Sequence, residues 1–111
     1  ALDWAEKAIS LSNKSGDAYY NRASVYYSIV DNCIEGHAKF SDKLVYEMAS
    51  EDYQKAASIG NNKDASNKVI FFESNEMITS SSDWFMIGGN ESELSPTGEC
   101  YKWITRKVKR K

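Results

Sequence analysis

The sequence predicts an all-α fold of antiparallel helix-turn-helix pairs, closed by an irregular C-terminal cap. Three observations carry that expectation. There is one Pro in 111 residues, which suits long helices and argues against a turn-rich sandwich. Apolar and small residues recur at steps of three and four, the spacing of one helical face. The breaks between these runs fall on Gly, Asn and Ser, residue types that end and begin helices.

A first helix spans residues 1–12, with Leu2, Ala5, Ala8, Ile9 and Ser12 on one side and Trp4 beside them. Asn13, Lys14, Ser15 and Gly16 break it. A second helix, 17–35, carries Tyr19, Ala23, Tyr26, Val30 and Cys33, and Gly36 interrupts the pattern. A third, 38–59, carries Phe40, Leu44, Met48, Ala49, Tyr53, Ala56 and Ile59. Gly60 follows in the position that favours a left-handed cap. A fourth helix, 64–79, runs through Val69, Ile70, Met77 and Ile78, although Val69 to Phe72 has strand-like composition.

Beyond it, Thr79 to Asp83 reads as a stop or a turn, and Trp84 to Ile87 as an apolar anchor. Residues 88–98 are loop by their Gly, Asn, Ser and Pro content. Cys100 to Ile104 docks as a short strand or a turn of helix, and the last residues fray. The chain thus divides into a helical domain, 1–87, and a loop and capping segment, 88–111.

No apolar run approaches the roughly 20 residues of a bilayer span, so no membrane span is expected. The chain opens at Ala1 inside an apolar helical pattern, with no signal or transit peptide. It therefore reads as a processed or trimmed piece of something longer.

The net charge of −2 predicts no strong nucleic-acid affinity for the whole, but its distribution is lopsided. Lys102, Arg106, Lys107, Lys109, Arg110 and Lys111 form a tail of six cations without an acid. The other eight cations face all sixteen acids, which leaves the body at −8. Such a tail binds nucleic acid or acidic lipid, folds back on the acidic body, or stays solvated.

Cys33 and Cys100 have no metal-binding spacing. Each reads as a small apolar core residue, with a disulfide in an oxidising compartment as the alternative. His37 is the one histidine, so no zinc site is implied. A nucleophilic centre would have to be built on His37 with Glu35 and Cys33, at a hairpin tip that excludes water poorly. There is no GxxxxGK[ST] and no GxGxxG, and Gly88-Gly89 is an isolated pair. No cofactor is implied.

A search for internal repetition is more productive. Gly16 to Tyr27 resembles the first helix of a tetratricopeptide repeat, with Tyr19, Ala23 and Tyr26 at family positions and Arg22 where Leu is usual. Ala49, Tyr53 and Ala56, followed by Ile59, resemble the second helix. Ala1, Ala5 and Ala8, followed by Leu11, repeat that pattern. Small residues there allow two antiparallel helices to approach closely. The segment Tyr53 to Asn61 is also similar to Sel1-like repeats. The resemblance covers about residues 1–60. Asn13 and Asn61 replace the closing Pro, and Phe71 falls near a position that wants Gly or Ala. Tyr26 and Ala49 are 14 residues further apart than in the family. Split evenly, that lengthens each helix by about 10 Å and puts the turn at Gly36. A loop over 36–41, with Ser41 as N-cap, is the alternative.

The resemblance implies a protein-interaction scaffold that binds a peptide or protein on its concave face. On the second helix the stripe left after packing is Tyr20, Asn21, Ser24, Tyr27, Ser28 and Asp31. Tyr20 and Tyr27 suit recognition, or pack within the chain. Asn21 matches the family position that grips a peptide backbone. The cations of a carboxylate clamp are missing, since Tyr20 and Ser24 stand on that side. An exposed apolar stripe on the first helix would also suit a homodimer. An anion-binding module using the basic tail is the second reading, and a small enzyme around His37 the third.

Overall fold

The computed structural model describes residues 2–11 and 16–111, and its fold is all-α with one very short strand pair. Five helices follow one another: α1 (Leu2–Leu11), α2 (Gly16–Cys33), α3 (Phe40–Gly60), α4 (Lys63–Ser74) and α5 (Ser81–Ile87). Two strands, β1 (Glu93–Leu94) and β2 (Val108–Lys109), then pair antiparallel, with Glu93 opposite Lys109 and Leu94 opposite Val108. Gly16 opens α2, while Ser12 and, of the expected break, Asn13, Lys14 and Ser15 lie outside the described residues. So do the side chains of Leu2, Ala5, Ala8 and Leu11.

Helix α3 is the centre of the molecule. Leu44, Val45, Tyr46, Met48, Ala49, Tyr53 and Ala56 are buried around most of its circumference, as expected of a helix covered on several sides. Ala23, Tyr26 and Val30 of α2 pack on it, together with Phe72 of α4, Trp84 of α5, and Tyr101, Ile104 and Val108. Small residues bring the hairpin ends together. A methyl group at Gly16 would meet the Ala56 carbonyl oxygen at 3.2 Å and the Gly60 backbone at 3.3 Å.

That approach changes the reading of the α3 terminus. Gly60 stays helical, and Asn61 takes the left-handed conformation, with φ of 52°. Asn tolerates it because its short amide bonds locally. Asn62 then caps α4, its Oδ1 accepting from the Ala65 N–H at 3.1 Å.

The α2–α3 connection runs over residues 34–39, wider than the symmetric split allows. Gly36 has positive φ, and Lys39 is extended. Helix α3 begins where the Asp42 carboxylate accepts the Lys39 N–H at 2.9 Å, so Lys39 rather than Ser41 is its N-cap.

Helix α4 stops at Ser74, short of the expected residue 79. Glu76 is left-handed, with φ of 53°. The Met77 N–H reaches the Phe72 carbonyl at 3.0 Å, and the Glu76 N–H reaches that of Glu73 at 3.2 Å. This pair of bonds is a Schellman ending, built with Glu where Gly is usual. Ile70 and Phe71 are exposed, and Ala65 and Phe72 supply the buried face.

A fifth helix replaces the expected stop. Ser80 accepts from the Asp83 N–H, and Asp83 accepts from the Ser80 N–H at 2.9 Å. This reciprocal capping box starts α5. Burial alone would raise the Asp83 pKa, but the Ser80 bonds and the Lys43 ammonium lower it overall. Trp84 is fully buried. Its ring stands edge-on to Phe40 at 5.1 Å, and its indole N–H donates to Thr79 Oγ1 at 2.9 Å.

The C-terminal segment is a strap rather than a frayed end. Cys33 and Cys100 form a disulfide across 67 residues of chain, so neither is the free apolar core residue the sequence suggests. Past that bond, Tyr101, Ile104 and Val108 bury apolar surface. Buried acids of α3 hold the rest. The Tyr101 hydroxyl donates to Asp42 at 2.5 Å. Arg106 pairs with Asp52 at 3.0 Å, and Lys111 with Glu47 at 3.2 Å. Thr79 also donates to Glu47 through its N–H and its hydroxyl. An unpartnered buried carboxylate is costly, so these acids hold the tail in place.

Candidate functional site

The residues singled out on α2 divide between two faces. Tyr20 and Tyr27 turn inward. The Tyr20 ring stands edge-on to Tyr53 at 5.1 Å, and its hydroxyl donates to Asp64 on α4. That bond, together with burial, pushes the Tyr20 pKa up to about 12. The Tyr27 ring lies 5.9 Å from Tyr46 and 5.6 Å from Phe72. Asp31 is exposed at the far end of α2.

Asn21, Ser24 and Ser28 face the other way. With Val25, Ile29 and Asn32 of α2, and Trp4 of α1, they line an open groove of about 570 Å³. Trp4 stands at its edge, 62% exposed. The α2 lining has no charged side chain: two amides, two hydroxyls and two aliphatic groups. Ser24 also shares a hydrogen bond of 3.0 Å with the Tyr53 hydroxyl, which fixes its rotamer. The groove face is rotated by roughly 70° from the expected stripe, at 100° per residue. The cause is α4, whose Phe72 fills the space beside Tyr27. Val25, Ile29 and Asn32 were missed for this reason, although they continue the same helical face as Asn21.

On the opposite flank a charged cluster closes the hairpin. Asp52 is 2% exposed and receives two guanidinium groups. Arg22 donates at 2.7 and 2.8 Å, and Arg106 at 3.0 and 3.2 Å. Burial alone would lower the Arg106 pKa, but the Asp52 carboxylate outweighs it and holds that pKa above the ordinary value. Arg106 also stacks over Tyr26 at 5.5 Å, and Arg22 over Tyr19 at 5.7 Å. Burial raises the Glu51 pKa, and Arg106 opposes that rise.

The basic tail is largely engaged with the chain itself. Lys102 pairs with Glu99 at 3.0 Å, while Arg106 and Lys111 meet α3. Arg110 donates to the carbonyls of Glu91, Trp84 and Gly88, and its guanidinium stacks on Trp84 at 5.0 Å. Lys107 and Lys109 are exposed on either side of buried Val108.

At the hairpin tip, His37 and Glu35 are exposed. Cys33 is committed to the disulfide, so the enzyme reading loses its thiol. Among the described residues, no helix is long and apolar enough to cross a membrane. No family model, curated protein or solved structure matches the chain.

Proposed function

We propose that the chain is a protein-interaction module that holds a peptide segment in the groove between α1 and α2. The observation that carries this reading is the groove's lining. Aliphatic Val25 and Ile29 lie between the amides of Asn21 and Asn32, with exposed Trp4 at the edge. Apolar floors with a few convergent polar groups are typical of recognition sites. Amides at both ends can pair with a peptide backbone, and Trp supplies contact area at little entropic cost. The likeness of residues 1–60 to tetratricopeptide and Sel1-like repeats supports the same reading.

A second reading, anion binding by the tail, has less support. Arg106, Arg110 and Lys111 are held by Asp52, by backbone carbonyls and by Glu47, and Lys102 pairs with Glu99, which leaves Lys107 and Lys109 outward without an acid among the described residues. Two cations supply little phosphate affinity.

Peptides selected against the chain from a random library separate the two. The groove reading expects Val25→Glu with Ile29→Glu to abolish binding, and Lys107→Glu with Lys109→Glu to leave it unchanged. The reverse pattern, with steep salt dependence, would replace it with the tail reading.

A further inference from the structure

We infer that Asn90 is an acceptor for an N-linked glycan, and that this glycan stands over the exposed apolar side of α5. Asn90-Glu91-Ser92 is an Asn-X-Ser sequence with no Pro, the triplet that oligosaccharyl transfer requires. Its position suits the reaction product. Asn90 is exposed in the connection between α5 and β1. Its side-chain amide has no hydrogen-bond partner among the described residues. Arg110 holds the loop beside it: its side-chain Nε donates to the Glu91 carbonyl at 2.7 Å, and its backbone N–H to that of Ser92 at 2.8 Å. The acceptor therefore projects from a fixed base.

The disulfide is the independent second observation. Such bonds form and persist in oxidising compartments such as the endoplasmic reticulum lumen and the cell exterior. In eukaryotic cells the same lumen is where N-glycosylation occurs.

The neighbourhood gives the glycan a role. Phe85 and Met86 are 82% and 80% exposed, side by side on a helix that is capped, ion-paired and clamped by Arg110. Large apolar groups held in solvent are an association hazard. Asn90 lies four residues beyond Met86 and five beyond Phe85, within about 18 Å along the chain, a span that a bulky oligosaccharide there reaches across.

In the transfer, the donor is a lipid-diphosphate-linked oligosaccharide. The Asn90 Nδ2 forms a bond to the anomeric carbon of the first sugar, and the bond from that carbon to the phosphate oxygen breaks. The lipid diphosphate leaves, and the amide loses one proton to a base of the transferase.

The test is secretion of the full chain from a eukaryotic host behind a cleavable leader, followed by peptide mapping. The expected result is a Cys33–Cys100 disulfide and a glycan on the Asn90 peptide, which peptide N-glycosidase removes with conversion of Asn90 to Asp. Asn90→Gln and Ser92→Ala should both lose the modification while their circular dichroism stays unchanged. Ser92→Ala keeps the asparagine and so separates loss of the triplet from loss of the side chain. Enzymatic removal of the glycan should increase binding of a hydrophobic dye, and Phe85→Ser with Met86→Ser should cancel that increase. A secreted, disulfide-bonded chain with unmodified Asn90 would overturn the assignment, as would secretion with both thiols free. Unchanged dye binding after glycan removal would overturn the shielding role.

Discussion

Arg22 and Asp52 meet across the hairpin through two parallel hydrogen bonds, at 2.7 and 2.8 Å, thirty residues apart in sequence. Arg22 is a cation on the largely buried side of α2, and the carboxylate opposite gives it a partner there. The pair fixes the register of α2 on α3, and Arg106 of the strap completes it. Asp52→Ala should cost about 3–5 kcal/mol, because two guanidinium groups are left facing a partly buried space. Arg22→Leu should cost less, about 1–2 kcal/mol, since Arg106 still neutralises Asp52. Urea unfolding of both variants measures this, and a smaller loss for Asp52→Ala than for Arg22→Leu would contradict it.

The strap should depend on the disulfide for much of its hold. Closing 67 residues of chain is worth about 4 kcal/mol in the chain-entropy account. Cys33→Ser with Cys100→Ser should lower stability by up to that amount. Amide exchange should then accelerate first at residues 98–104, beside the lost bond, while Arg106 and Lys111 still hold the rest of the segment to α3. Uniform acceleration across all helices would show that the strap has no separate stability.

Two backbone substitutions should move in opposite directions. Gly16→Ala pushes a methyl group against the Ala56 carbonyl and the Gly60 backbone, neither of which is a flexible side-chain end. It should cost about 1–2 kcal/mol. Glu76→Gly relieves a left-handed residue with a Cβ and should gain about 0.5–1 kcal/mol. Thermal melts of the two variants should shift to either side of the wild type.

Tyr20 gives a pH signature. Its pKa is raised to about 12 by the bond to Asp64, above the ordinary value near 10. A raised folded pKa means that its contribution is fully present below pH 10 and is lost between about 10 and 12. Tyr20→Phe should therefore be less stable than wild type by about 1 kcal/mol at pH 7. The gap should close as the pH rises through 10 to 12. A constant gap over that range would place the hydroxyl away from Asp64.

The α2 stripe of Tyr19, Ala23, Tyr26 and Val30 was legible because helical spacing alone defines a buried face. The outward face was only half legible. Its boundary depends on how far α4 wraps around, and Phe72 takes the space that would have left Tyr27 free. Asp42, Glu47 and Asp52 read as ordinary polar positions of an amphipathic helix. Their burial follows from the strap, whose cations were visible in the sequence but whose partners were not. The Schellman ending at Glu76 carries no sequence signal, because Glu is a poor left-handed residue. The capping box from Ser80 to Asp83 did carry one: Ser followed three residues later by an acid, ahead of an apolar run.

Peptide recognition by the α1–α2 groove is the central claim, and backbone and side-chain NMR shifts on titrating a selected peptide test it most directly. The claim predicts that the Trp4 indole N–H and the Asn21 and Asn32 side-chain amides shift together, along with Val25 and Ile29. Shifts confined to residues 107–111, with the Trp4 indole unmoved, would contradict it.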